Sequence, residues 1–390
     1  MTLWNDPALL CRVAPGVAGL EHPVRKKLVF AVIAALLVIA NVAVVRAAGT
    51  PNPNDMARVL AGLAPAANSP LAVAAGTPGW RLHATTMDAA WASFEKRLVT
   101  RIRVWSAVTL TTPRPVMFYM FGGPDFIHAD AFFPDASVYV LSGLEPIGPL
   151  PDVAHLPEGV LAASLGALRQ SLGNFLRYGY FITREMGTQL KTRKLSGVLP
   201  VLYVFLARSG KTINQVRFVA LNARGEVAPA RGKRKPSGVR ISFTGPDGRP
   251  RTLYYFRTDL SNAGVKKSAF LKFCMKLGQG DALIKSASYL LHLGNFSKVR
   301  DFILDRSATI LQDDSGIPVK YFTTGLWRLR LFGQYSGPIE EFKRFYQREL
   351  ADLFRTGGAQ GVNFGIGYNW HPRRTNILVA NRLAAPGVRP

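Results

Sequence analysis

The stretch VMFYMFGGPDFIHADAFFPDASVYVLSGLEP, Val116 to Pro146, holds two apolar runs around a compact loop. VMFYMF (116–121) and SVYVL (137–141) are short and rich in β-branched and aromatic residues, and glycine follows each closely. Both read as buried strands. The loop between them carries Gly122-Gly123-Pro124-Asp125 and a short helical turn from Phe126, with acids at both strand ends: Asp125 after the first and Glu145 after the second.

The rest of the chain arranges itself around this pair. Before it, Trp91, Phe94, Leu98, Ile102 and Trp105 recur at steps of three and four from a cap at Thr85 or Thr86, which predicts a helix that ends before Pro113. After it, a helix is expected from Glu158 to about Thr192. VLPVLYVFLA (198–207) is continuously apolar and reads as a strand buried on both faces. QVRFVALN, VRISFTG and RTLYYFRT, with a turn at Pro246-Asp247-Gly248, predict an antiparallel β section over about 213–258. Helices are expected from about Val265 to Asp305, broken near Gly278–Gly280 and around Gly294. ATILQDD (308–314) reads as a strand ending in two acids, LWRLRLFGQY as another, and Ile339 to about Phe354 as a helix. VNFGIGYNW and TNILVANR close the chain as an expected hairpin.

Strands separated by long helices define an α/β class. The order predicts a three-layer Rossmann-like sandwich with a mostly parallel sheet, an inserted antiparallel section and a C-terminal β-hairpin. In its strand, glycine loop, second strand ending in an acid, and late hairpin, the layout over 115–381 resembles the class I methyltransferase fold. No cofactor is carried over from that resemblance, because an exported protein would meet no S-adenosylmethionine.

Export is the reading of the N-terminus. Arg25, Lys26 and Lys27 precede the apolar run Leu28–Val45, and Val45-Arg46-Ala47 offers small residues at a cleavage site. Residues 1–47 thus read as a signal peptide, with 1–23 outside the pattern and the true start expected near Val24. The alternative is an uncleaved membrane anchor at 28–45. Residues 48–84, rich in small residues and proline, read as a loose lead-in with one short helix between its two proline-rich stretches, and 85–390 as one α/β domain with insertions. The chain carries 49 Lys and Arg against 24 Asp and Glu, a net +25. Removing five bases and two acids with residues 1–47 leaves +22. A periplasmic protein with that charge is expected to meet anionic lipid or envelope polysaccharide rather than nucleic acid. Arg231, Lys233, Arg234, Lys235 and Arg240 concentrate this charge in one β-connection. Cys274 would be the only cysteine after cleavage, and its apolar setting reads as a packed, inert thiol.

Candidate site residues lie where strands end, since ligands of open α/β sheets collect outside the carboxyl ends. Gly122 and Gly123 permit close backbone approach, but GGPDFI lacks the dinucleotide fingerprint and Pro124 removes a donor. Asp125, His128 and Asp130 are metal-ligating types; the simpler reading has Asp125 capping a helix at Phe126 with His128 at the surface. Glu145 stands where nucleotide-binding sandwiches hold ribose hydroxyls. Asp313 and Asp314 suit a cation, a hydroxyl ligand or a solvated turn, and Arg257 with Asp259 suits a carboxylate or phosphate clamp, or a structural ion pair. No GxSxG elbow, HExxH or CxxC is present. Two functions follow: an exported protein that binds an anionic envelope ligand or membrane surface, or an envelope hydrolase or transferase using Asp125, Glu145, Asp313 and Asp314, with or without a metal.

Overall fold

Along the first strand, β1 (Val116–Tyr119), side chains alternate between two apolar clusters: Met117 and Tyr119 enter one, Val116 and Phe118 the other. Alternation of that kind places a strand in the middle of a sheet covered on both faces. The computed structural model describes residues 52–181, 194–230 and 235–383. The expected signal, the 28–45 anchor, the C-terminal part of the 158–192 helix and Arg231–Arg234 of the basic run therefore lie outside the described residues. No helix among the described residues is long and apolar enough to cross a membrane.

In chain order the main helices are α1 (Pro53–Leu60), α2 (Pro78–Phe94), α3 (Thr100–Thr109), α4 (Phe126–Phe132), α5 (Glu158–Tyr178), α6 (Leu199–Arg208), α7 (Asn262–Lys267), α8 (Phe270–Lys276), α9 (Ser297–Arg306) and α10 (Arg348–Thr356). A π-helical turn, Glu95–Val99, joins α2 to α3. The remaining strands are β2 (Val138–Gly143), β3 (Thr212–Leu221), β4 (Val227–Pro229), β5 (Gly238–Thr244), β6 (Pro250–Arg257), β7 (Gly280–Ile284), β8 (Ser307–Gln312), β9 (Trp327–Gly333) and β10 (Asn376–Arg382).

The ten strands of the described residues form one sheet in the order β4-β3-β5-β6-β2-β1-β7-β8-β10-β9. The protein is mixed α/β, and the mostly parallel sheet expected from the sequence is corrected to a mixed one. The block β6-β2-β1-β7-β8 is parallel throughout. Every pairing between two of these strands outside that block is antiparallel. The 213–258 section is antiparallel within itself, yet β6 pairs parallel with β2, so the section extends the sheet instead of standing apart from it.

Several elements differ from expectation: α2 starts at Pro78, capped by Thr77, and the helix expected from Ile339 is a 3-10 segment, Glu340–Phe345, followed by α10. The run at 198–207 is a helix, α6, with Pro200 in its first turn and Leu199 through Ala207 all buried. An apolar run surrounded on all sides carries no periodicity, so burial alone cannot separate strand from helix; the proline, tolerated in a first turn, was the available signal. The helical region expected over 265–305 contains a central strand, β7, five residues long and buried on both faces. Its Asp281 concealed it. That carboxylate is fully buried and accepts from the backbone N–H of Arg114 (2.6 Å) and Thr309 (3.0 Å). Finally, VNFGIGYNW forms no strand, so there is no terminal hairpin. β10 instead enters between β8 and β9, antiparallel to both.

The segment read as a loose lead-in is packed. Met56, Val59 and Leu60 of α1 are buried in the same cluster as Trp91 and Phe205. The Trp80 indole donates to the Val59 carbonyl at 2.9 Å, and Arg208 Nε to that of Ala61 at 2.7 Å.

Candidate functional site

Strand order puts a switch point between β1 and β7: from β1 the chain runs outward to β2 and β6, and from β7 to β8 in the opposite direction. Crevices form at such points outside the carboxyl ends of the strands. A cleft of about 160 Å³ opens there, lined from the ends of β1, β2, β6 and β7. Its walls are largely apolar, with Met120, Phe121, Leu144, Phe181, Leu260, Leu290 and Phe296, and its polar groups include Glu145, Asp259, Ser286 and Ser288.

Two glycines shape its floor. Gly123 has φ +57°, in the left-handed region, and its N–H donates to the Ser142 carbonyl at 3.0 Å, tying the β1 loop to the end of β2. At Gly143 a Cβ would come within 2.3 Å of Glu145 Oε2 and 3.1 Å of Gly123 Cα. The missing side chain lets Glu145 fold back beneath the loop. The Tyr255 hydroxyl donates to the Glu145 carbonyl at 3.0 Å and lies 3.3 Å from its carboxylate. Burial and the Glu145 charge push that phenol well up.

Asp125 sits at the back of the cleft in a closed network. Its side chain caps α4 by accepting from His128 N–H (3.1 Å), and it also meets His128 Nδ1 (2.9 Å), the Tyr119 hydroxyl (2.9 Å) and Lys285 Nζ (3.0 Å). Lys285 donates further to the Gly179 carbonyl at 2.6 Å. Burial works against the charge of Asp125, but His128 and Lys285 outweigh it and hold the carboxyl well below the usual range. His128, expected at the surface, is instead 1 % exposed. Burial pushes its imidazole down, with Lys285 adding to the effect and Asp125 opposing it. Asp130 lies elsewhere, in ion pairs with Lys211 (2.7 Å) and Arg103 (3.3 Å). Among the described residues no cluster of His, Cys, Asp or Glu has the arrangement of a metal site.

The loop after β7 is strained. Ser286, Ser288 and Tyr289 all have positive φ, 50° to 54°, a region costing roughly 1–3 kcal/mol for residues other than glycine. Asp313 and Ser315 hold it there: Asp313 Oδ2 accepts from Ser286 N–H (2.9 Å) and Ser315 Oγ from Ala287 N–H (2.8 Å). Tyr368 completes the clamp, donating to the Ser286 carbonyl at 3.0 Å. The Ser286 hydroxyl, at the cleft, is buried with no partner among the described residues.

Of the residues singled out from sequence, the structure gathers Gly122, Gly123, Asp125, Glu145 and Asp259 around one cleft. His128 stands behind Asp125. Asp313 and Asp314 do not line the cleft; both are buried, Asp313 supporting the strained loop and Asp314 accepting from the Tyr289 hydroxyl (2.6 Å) and Asn376 Nδ2 (3.0 Å). Burial and the neighbouring Asp314 push Asp313 up to about 7. Arg257 and Asp259 form no ion pair. Arg257 Nε donates to the Leu144 carbonyl at 3.0 Å, and Asp259 accepts from Ser261 N–H (2.8 Å) and Oγ (2.9 Å). Cys274 is buried as a free thiol. The sequence reading missed Tyr119, Lys285, Ser286 and Tyr255. Lys285 and Ser286 could have been found only by first recognising β7, whose carboxyl end they occupy.

No protein-family model, curated protein or solved structure matches this chain.

Proposed function

We propose that the cleft binds a small, uncharged or cationic ligand with vicinal hydroxyls and a flat apolar part, of the nucleoside type. The observation that carries this is the pairing of two carboxylates with an apolar slot: Glu145 after β2 and Asp259 after the adjacent β6, with Leu144 and Leu260 beside them. A carboxylate accepts two hydroxyl donors from a diol, and a second one accepts from an exocyclic amine. Acids at both positions disfavour a phosphate in the same cleft. Strand order supports the reading. The parallel block and the late antiparallel strand entering between β8 and β9 resemble the three-layer Rossmann-like layout of class I methyltransferases, in which a ligand would lie across β1, β2 and β6.

The alternative, an envelope hydrolase or transferase, has less support, because its four carboxylates are divided. Asp125 is fixed as an anion by its partners, and Asp313 and Asp314 lie outside the cleft. An exported location and an anionic envelope polymer or lipid as partner accompany the proposal through the basic charge and the leader-like N-terminus.

Titration calorimetry with adenosine, 2′,3′-dideoxyadenosine and the Glu145→Ala variant tests it. Adenosine should bind saturably, and loss of the diol or of the carboxylate should each weaken binding about 10- to 100-fold, the worth of hydrogen bonds to a charged group. Tyr255 keeps the Glu145 carbonyl as acceptor, so the variant should fold. Equal affinity of the variant and the native chain, or no binding of adenosine, would sink the proposal.

A further inference from the structure

A second cavity, of about 360 Å³, lies at the other end of the sheet, where the parallel strands begin. Its floor is a row of side chains across three strands. Thr309 on β8 stands opposite Asn381 on β10, and Asn381 opposite Arg328 on β9. Asn381 Nδ2 donates to Thr309 Oγ1 at 3.1 Å and holds the row together. Arg330, two residues after Arg328, rises from the same face of β9. Its Nη2 donates to the Thr109 carbonyl at the end of α3 (2.7 Å), which fixes the guanidinium against the Thr109–Pro113 wall and leaves its other donors without a hydrogen-bond partner among the described residues. The exposed side chain of Arg328 makes no hydrogen bond or ion pair among the described residues. Arg382, which also lines the cavity, is anchored by the Ser307 and Leu304 carbonyls and lies 5.0 Å from the Trp327 ring centroid.

Among the described residues no carboxylate lines this cavity. Asp281, bonded to Thr309 N–H, commits both oxygens to backbone donors. Two guanidiniums on one strand face therefore stand side by side with no carboxylate partner among the described residues. Burial, and the charge of Arg328, push Arg330 below its ordinary value. Such a pair is repulsive until an anion is shared between its members, and planar guanidinium forks match the oxygens of a phosphate. The geometry points to a phosphate-type oxyanion site here, with Arg328 and Arg330 as its ligands and the Thr309–Asn381 pair as its floor. The site shares no lining residue with the cleft and does not depend on the nucleoside proposal. The phosphate belongs to either a free phosphorylated compound or a lipid headgroup.

The test uses the full chain. Inorganic phosphate is titrated by calorimetry, and binding to phosphatidylcholine vesicles with and without phosphatidylglycerol is followed by sedimentation. The native chain should bind phosphate saturably, and Arg328→Gln/Arg330→Gln should bind it at least about tenfold more weakly while keeping a cooperative thermal transition. Asn381→Asp, which puts a carboxylate into the row, should lose phosphate in the same way and serves if the double variant does not fold. Exposed arginines away from the cavity, as in Arg224→Gln, should leave binding unaltered, and so should Glu145→Ala. Vesicle binding displaced by phosphate assigns the anion to a headgroup; phosphate binding without such displacement assigns it to a free compound, and either supports the site. No saturable phosphate binding by the native chain, or equal binding by the arginine variants, overturns it.

Discussion

Asp313 is an acid whose surroundings decide when it ionises. Burial and Asp314 hold it at about 7, well above the value near 3.8 of a free aspartate. The native state therefore keeps a proton that the unfolded chain releases, so its contribution to stability is complete below about pH 4 and is lost as pH rises through 7. Asp314 is raised as well, by burial, and Asp313→Asn should flatten that fall, as seen by denaturant titration from pH 4 to 8. An unchanged slope would place the acid elsewhere. Individual residues were only partly legible in the sequence. The capping role of Asp125 follows from its position before an apolar turn. Its ion pair with Lys285 does not, because the two are brought together only by the pairing of β1 with β7.

At the scale of elements, α6 is the instructive case. Its side chains are buried all round, and Phe205 lies 4.7 Å from Phe175 of α5 and 6.1 Å from Phe181, centroid to centroid. Phe205→Ala should cost about 3–5 kcal/mol by opening a cavity in this cluster, read as a lower denaturation midpoint with an unchanged denaturant slope. A loss below 1 kcal/mol would mean that the helix is less enclosed than described. β1, β2 and β8 could be located from sequence because short aromatic and β-branched runs end at glycine or acids. α6 and β7 could not. An element buried on every side shows no polar face, and the buried Asp281 gave β7 the appearance of a surface segment.

Over the whole molecule, α1 is joined to elements far along the chain. Besides the bonds from Trp80 and Arg208, Ile213 N–H donates to Asn54 Oδ1 at 3.1 Å, linking α1 to β3. Removing residues 52–63 should leave these donors unpaired and expose part of the core that Met56, Val59 and Leu60 cover, lowering stability by about 5 kcal/mol or more in chemical denaturation. Near-native stability of the shortened chain would show α1 to be dispensable. The sequence alone determined the α/β class, the two strands of the opening stretch, the antiparallel section and the acids at the strand ends, because these depend on local periodicity and turn chemistry. Only the tertiary structure decided which acids share a cleft, that β10 enters between β8 and β9, and that Arg328 and Arg330 rise beside Asn381 and Thr309. Those facts rest on pairings between residues far apart in the chain, and neither local propensity nor spacing encodes such a register.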